Sequence, residues 1–286
     1  MSTLTKLQYG QHNAVEHKDY TSDVFIDFQN NRLKLLDYSG DVSKIAKNTI
    51  ALCGKYGMGK IIATVPIKDR QLFFDNGFVQ EALIYGYFKG QIGCNVSFFY
   101  DKDRAISHRI QEENQIIKRA LENKGQYEPM ENNTFRIRSG NVEDAKAMAQ
   151  LYDTVFQSYP TPMDNPEYIK NMIRNDQVLF KVVENDNKIV SAASADLNHR
   201  HFNAEMTDCA TLPEFRGKGL LSELIYYLEG SLKEKKFMCL YSIARALSPG
   251  INIVFSKHGY EFTGRQIKNS QIMGKLEDMN IWVKKI

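Results

Sequence analysis

Apolar residues along this chain follow two periods, and the switches between them outline the elements. In the first half, Asp23 to Tyr38 alternates around Asn30-Asn31, which predicts two strands joined by a turn. Val42, Ile45, Ala46, Thr49, Ile50 and Cys53 then recur at helical spacing, with Gly54 or Gly57 to close the helix. "KIIATV" predicts a strand, the stretch before Gly77 a short helix, and "VQEALIYGYF" another strand. Ile106, Ile110, Ile117 and Leu121 predict one face of a linker helix over about 101–124, ended by Gly125. "QYEPMENN" reads as a linker, with a domain boundary near residue 130, and residues 1–22 read as polar and irregular.

The second half reads β-α-α-β-β-β-α-β-α-β-β. Its seventh element is a helix with Leu220, Leu221, Leu224, Ile225 and Leu228 on one side. That order predicts an α/β fold, a mixed sheet with helices on both faces. The segment from Lys60 to Phe78 echoes the one from Phe237 to Tyr260: strand, short helix, then Phe-x-x-x-Gly-aromatic, with Phe73 to Gly77 spaced like Phe255 to Gly259. A degenerate internal repeat is expected.

Composition narrows the function classes. A chain of 286 residues suits two domains, and 43% hydrophobic with 25% charged residues is a globular balance. The 37 basic and 34 acidic residues nearly cancel, so nothing general favours nucleic acid or an anionic membrane as partner. Cys53, Cys94, Cys209 and Cys239 lie far apart, without zinc-ligand spacing, so no metal is expected and the cytosol is the expected compartment. No signal peptide or membrane span is legible.

One stretch carries chemistry: "LPEFRGKGLLSELI", Leu212 to Ile225. A helix start leaves backbone N–H groups unpaired and partly positive. Gly217 and Gly219 let that backbone approach an anion, and Arg216 and Lys218 add cationic donors. The alternatives at this point are a diphosphate cradle and a solvated basic turn.

"AEMTDCATLPEFRGKGLLSEL" resembles the acetyl-CoA-binding motif of the Gcn5-related N-acetyltransferases, Gln/Arg-x-x-Gly-x-Gly/Ala, with Glu214 at its first position. "FSKHGY", Phe255 to Tyr260, resembles the family's later motif, with Phe255 where a Tyr general acid often stands. Phe cannot donate a proton. Within the superfamily the whole chain is most similar to the β-lysine N-acetyltransferases, in "DNGF", "GYFKG", "ARALSPGINIVFSKHGYEFTGR" and "EDMNIW". The resemblance implies residues 131–286 as an acetyl-CoA-dependent N-acetyltransferase domain and residues 1–130 as a truncated acetyltransferase-like lobe, packed on the first or forming a homodimer contact. It further implies a small amine as acceptor, the ε-amine of β-lysine foremost, and an osmolyte as product.

Acetyl-CoA is then expected along Cys209, Ala210, Thr211, Leu212, Arg216, Gly217, Lys218, Gly219, Leu220 and Phe255, with amides of Cys209 to Leu212 as oxyanion donors. An alkylammonium is neutral in only about one part in a thousand or less at pH 7, so a base is required. Glu205 and Asp208 are the candidates. Three residues apart on a strand, they face opposite sides unless a bulge intervenes. Asp196 and Asp278 are candidates for a second ammonium, Arg245 for a carboxylate, and Tyr241 for an acceptor-side or proton-donating group, with Ser256 a further donor. Another amine acceptor, or a non-catalytic acyl-CoA-binding module, are the competing readings.

Overall fold

In the computed structural model, residues 10–130, 135–156, 159–272 and 274–286 are described. Expectations for residues 1–9 and for residues 131–134, which include the end of the linker, fall outside them. The strands of the described residues join into one continuous sheet. In the first half they are β1 (Gly10–His17), β2 (Tyr20–Asp27), β3 (Arg32–Gly40), β4 (Lys60–Pro66), β5 (Val79–Phe88) and β6 (Gln91–Phe99). In the second half they are β7 (Arg136–Ser139), β8 (Val178–Asn185), β9 (Lys188–Asn198), β10 (Asn203–Thr211), β11 (Cys239–Arg245), β12 (Glu261–Ile272) and β13 (Lys275–Lys285). The spatial order is β1-β2-β3-β4-β6-β5-β12-β13-β11-β10-β9-β8-β7.

That order repeats outward from a seam between β5 and β12. On one side, antiparallel β2 and β3 lead through helix α1 (Val42–Lys55) to β4, parallel to β3. Short helix α2 (Arg70–Phe74) follows, and the β5–β6 hairpin lays β6 against β4. On the other side, β9, β10, helix α6 (Leu220–Glu234), β11, helix α7 (Pro249–Lys257) and the β12–β13 hairpin trace the same path. The two Phe-x-x-x-Gly-aromatic stretches take the same turn: Phe73 and Phe255 are fully buried, Gly77 and Gly259 have φ of 85° and 78°, and the amides of Phe78 and Tyr260 donate to the carbonyls of Phe73 and Phe255. A left-handed glycine closes each helix.

The seam is tight. A Cβ on Gly264 would lie 2.0 Å from the Glu81 carbonyl oxygen, so only glycine lets β12 pair with β5 there. Next to it, Lys60 Nζ, fully buried, lies 2.8 Å from Glu81 Oε2 and donates to the Ile267 carbonyl, while the Ile267 amide donates to Glu81 Oε1. Arg104 reaches the Lys268 carbonyl, and Arg32 the Asn269 carbonyl at 2.8 Å. Side chains of the first half thus clamp an irregular stretch of β12, residues 267–269, where Lys268 has φ 43°.

Three elements differ from expectation. β1 and β6 are additional to the expected strands: β1 is a polar edge strand, and β6 follows a tight turn at Lys89-Gly90, whose positive φ values of 48° and 90° are its signature. Helix α3 runs only from Ile110 to Leu121, and its buried stripe is Glu113, Ile116, Ile117 and Ala120. Ile106, Ile110 and Leu121 are exposed, because α3 lays a different face on α7. The remaining helices, α4 (Ala145–Val155) and α5 (Pro166–Arg174), cover the second half beside β8 and β9.

Candidate active site

α6 begins differently from its counterpart α1. Asp41 caps α1 by accepting from the Lys44 amide at 3.0 Å. α6 has Gly219 as N-cap, with φ 75° and no side-chain cap. Gly217 has φ 76°, and a Cβ there would meet nothing within 4 Å. The loop therefore presents open backbone at a positive helix end, a fit for a diphosphate. A groove of about 700 Å³ runs from this loop between β10 and β11 to α7. Of the residues expected along acetyl-CoA, Cys209, Thr211, Arg216, Gly217, Gly219 and Leu220 line it.

Four other expected groove residues do not line it. Phe255 is fully buried, its ring 5.0 Å from that of Tyr260. Ala210 is in the core, and the Leu212 amide is consumed by the Val190 carbonyl at 3.0 Å, which removes it as an oxyanion donor. Lys218 lies over the Phe215 ring, 4.6 Å away. Neither Tyr241 nor Ser256 stands on the groove; the hydroxyl-bearing residues that line it are Tyr159, Thr207, Thr211, Ser222, Ser242 and Ser248.

The groove shares Tyr159, Thr207, Asp208, Ile243, Ile272 and Met279 with a second cavity of about 170 Å³. β10 explains the junction. Its pairing with β9 shifts between Thr207 and Ala210, and Asp208 takes φ 47°. This bulge turns Asp208 to the cavity that Glu205 also lines, so the strand alternation no longer separates them. Tyr152 donates its hydroxyl to the Asp208 carbonyl at 2.8 Å, and Ser194 donates to Asp208 Oδ2 at 2.7 Å, fixing both backbone and carboxylate. Asp208 borders both cavities, whereas Glu205 borders only the smaller.

Glu205 pairs in register with Asp196 on β9 and Tyr241 on β11, so the three share one face of the sheet. Burial raises the pKa of all three carboxyls: Asp196 well above the usual range, helped by the charges of Asp208 and Glu205; Glu205 against the opposing pull of Lys34; and Asp208 against hydrogen bonds from Ser194 and Tyr159. Facing them from β3 are Arg32 and Lys34, both lining the cavity. The positive charge of Arg32, and then burial, bring Lys34 down to about 8. Nothing in the sequence pattern pointed to these two cations. On an isolated strand they read as a polar face, and only the β5–β12 seam brings them to the site.

Two expected acceptor residues lie elsewhere. Arg245 borders the larger groove and donates to Glu277 at 3.3 Å. Asp278 is buried outside both cavities and accepts from the Lys268 amide at 2.6 Å, which makes it part of the β12 support.

The cluster has a consequence for stability. A carboxyl whose pKa is raised on folding stabilises when protonated, and that contribution is lost as pH rises through the folded value. Asp196→Asn is therefore expected to raise stability by about 1 kcal/mol at neutral pH. The gain should vanish at low pH, where Asp196 is already protonated. Thermal unfolding of both forms across pH checks this; an equal or lower midpoint at neutral pH contradicts it.

A bulged strand feeds a glycine-rich, side-chain-uncapped helix start beside a buried carboxylate, an arrangement that suits a diphosphate-bearing cofactor next to a group able to take up a proton. Residues 145–249 match the Acetyltransferase (GNAT) family, which uses acetyl-CoA. The chain belongs to this family and is an N-acetyltransferase. It is 37% identical over 269 residues to a β-lysine N(6)-acetyltransferase of Methanosarcina mazei, covering 86% of this chain and 98% of the relative. It is 30% identical over 255 residues to a β-lysine N(6)-acetyltransferase of Methanococcus maripaludis (89% and 93%) and 32% identical over 273 residues to the N-acetyltransferase YodP of Bacillus subtilis (96% and 99%).

Proposed function

We propose that this enzyme transfers acetyl from acetyl-CoA to the ε-amine of β-lysine, giving Nε-acetyl-β-lysine, a zwitterionic solute suited to osmotic protection in the cytoplasm. The observation that carries this reading is the charge of the smaller cavity: three carboxyls from the second half face two cations from the first. β-Lysine brings two ammonium groups and one carboxylate, and such a cavity complements it. Two of the relatives are β-lysine N(6)-acetyltransferases.

In this reading Asp208, at the junction of the two cavities, takes the proton from the ε-ammonium. The freed nitrogen attacks the thioester carbonyl carbon, the carbon–sulfur bond breaks, and CoA leaves as thiolate, which takes up the proton that the acylated nitrogen sheds. Backbone amides of the β10 bulge near Cys209 are the candidate oxyanion donors. Asp196 and Glu205, deeper in the cavity, hold the second ammonium. Residues 1–130 are a degenerate acetyltransferase-like lobe that has a side-chain-capped α1 in place of a phosphate loop.

The test is release of free CoA by purified enzyme with β-lysine, α-lysine, spermidine and a lysine peptide. β-Lysine should have the highest kcat/KM. Preference for spermidine or the peptide would keep acetyl transfer and discard β-lysine as acceptor.

A further inference from the structure

Lys34 lines the acceptor cavity and also a vestibule of about 400 Å³ that opens beside it. Arg32, its neighbour, is committed: Nε donates to Asp27 at 2.8 Å and Nη1 to the Asn269 carbonyl and Ser270 Oγ. The Lys34 ammonium has no hydrogen bond or ion pair among the described residues; its interactions there are longer-range ones with Arg32, Asp27, Glu205 and Asp196. A half-buried ammonium beside a second cation is costly to leave without an anion.

Asn269 lines the same cavity and is buried, 1% exposed. Its Nδ2 donates to Gln266 Oε1 at 2.6 Å, and Gln266 Nε2 donates onward to Asn95 at 2.9 Å. That chain leaves Asn269 Oδ1 as a buried acceptor with no partner among the described residues. The stretch that carries it is held by Lys60, Arg104 and Arg32, all from the first half of the chain. One end of the cavity therefore holds a cation in want of an anion and a carbonyl oxygen in want of a donor.

We infer that Lys34 and Asn269 are the specificity-determining residues of the acceptor site: Lys34 takes the acceptor's carboxylate and Asn269 Oδ1 accepts from the ammonium near it, selecting diamino acids over plain diamines. This rests on the acceptor reading above and gives the first half a role in substrate choice. The second half supplies thioester binding and proton removal, and Lys34 brings the first half to the acceptor's far end, where it meets Asn269 of the second.

The test compares β-lysine with 1,4-diaminopentane, which is β-lysine without its carboxylate, as acceptors for the full-length wild type, Lys34→Met and Lys34→Arg. The wild type should favour β-lysine. Lys34→Met should raise KM for β-lysine about 30-fold or more. The loss on 1,4-diaminopentane should be at least about 10-fold smaller, so that the preference for β-lysine collapses, with acetyl-CoA affinity unaltered as the control for folding. Lys34→Arg should recover part of the loss. Equal losses on both acceptors, or no change on β-lysine, would overturn the assignment while acetyl transfer stands. A wild type that acetylates neither amine would overturn both readings.

Discussion

Replacing Asp208 by asparagine should slow acetyl transfer to β-lysine by about 10²- to 10⁴-fold at neutral pH, the range over which a positioned base contributes. Asparagine is nearly isosteric and can still accept from Ser194, so the bulge and the groove should persist and acetyl-CoA should bind as before. The loss belongs in kcat, because Asp208 stands where the two cavities meet and Glu205 does not. Burial raises the Asp208 pKa, so the wild-type rate should fall as pH drops through a value above the ordinary aspartate range. Steady-state kinetics over pH for Asp208→Asn and Glu205→Gln decide the matter. A larger kcat loss in Glu205→Gln would move the base to Glu205.

Lys60→Met should cost about 3–5 kcal/mol of stability, the usual consequence of stranding one member of a buried ion pair. Lys60 is fully buried, and its ammonium contacts Glu81 at 2.8 Å and the Ile267 carbonyl at 2.8 Å. Burial lowers its pKa to about 8, so the pair is itself expensive to bury, and methionine leaves Glu81 without that cation. Lys60→Met/Glu81→Leu should therefore recover much of the loss in urea unfolding. The single variant should also raise KM for β-lysine, since the clamp on residues 267–269 fails with it. Stability equal to wild type would mean that the clamp is not what holds the seam.

The contrast between what the chain declares and what only the fold declares follows the range of the interactions. α6 is legible because Leu220, Leu224 and Leu228 repeat at helical spacing, and the loop before it because Gly217 and Gly219 have few other uses at a helix mouth. These are local signals. The site for the acceptor is non-local: Lys34 and Glu205 lie 171 positions apart in the sequence, and only sheet continuity across β5 and β12 joins them. The bulge at Asp208 leaves no mark in "MTDCAT", yet it decides which carboxylate reaches the thioester side. Arg245 was a reasonable partner for a carboxylate by residue type, but Glu277 on the adjacent β13 pairs with it. Phe255 marks its helix correctly in the sequence and packs inward, fully buried against Tyr260.

The most direct test of the joint site is a crystal structure of the enzyme with CoA and β-lysine. The ε-nitrogen should lie within hydrogen-bond distance of Asp208 and point at the CoA sulfur, with the carboxylate against Lys34. β-Lysine bound without contact to the first half, or with its carboxylate turned toward the thioester groove, would contradict an acceptor site shared by the two halves of the chain.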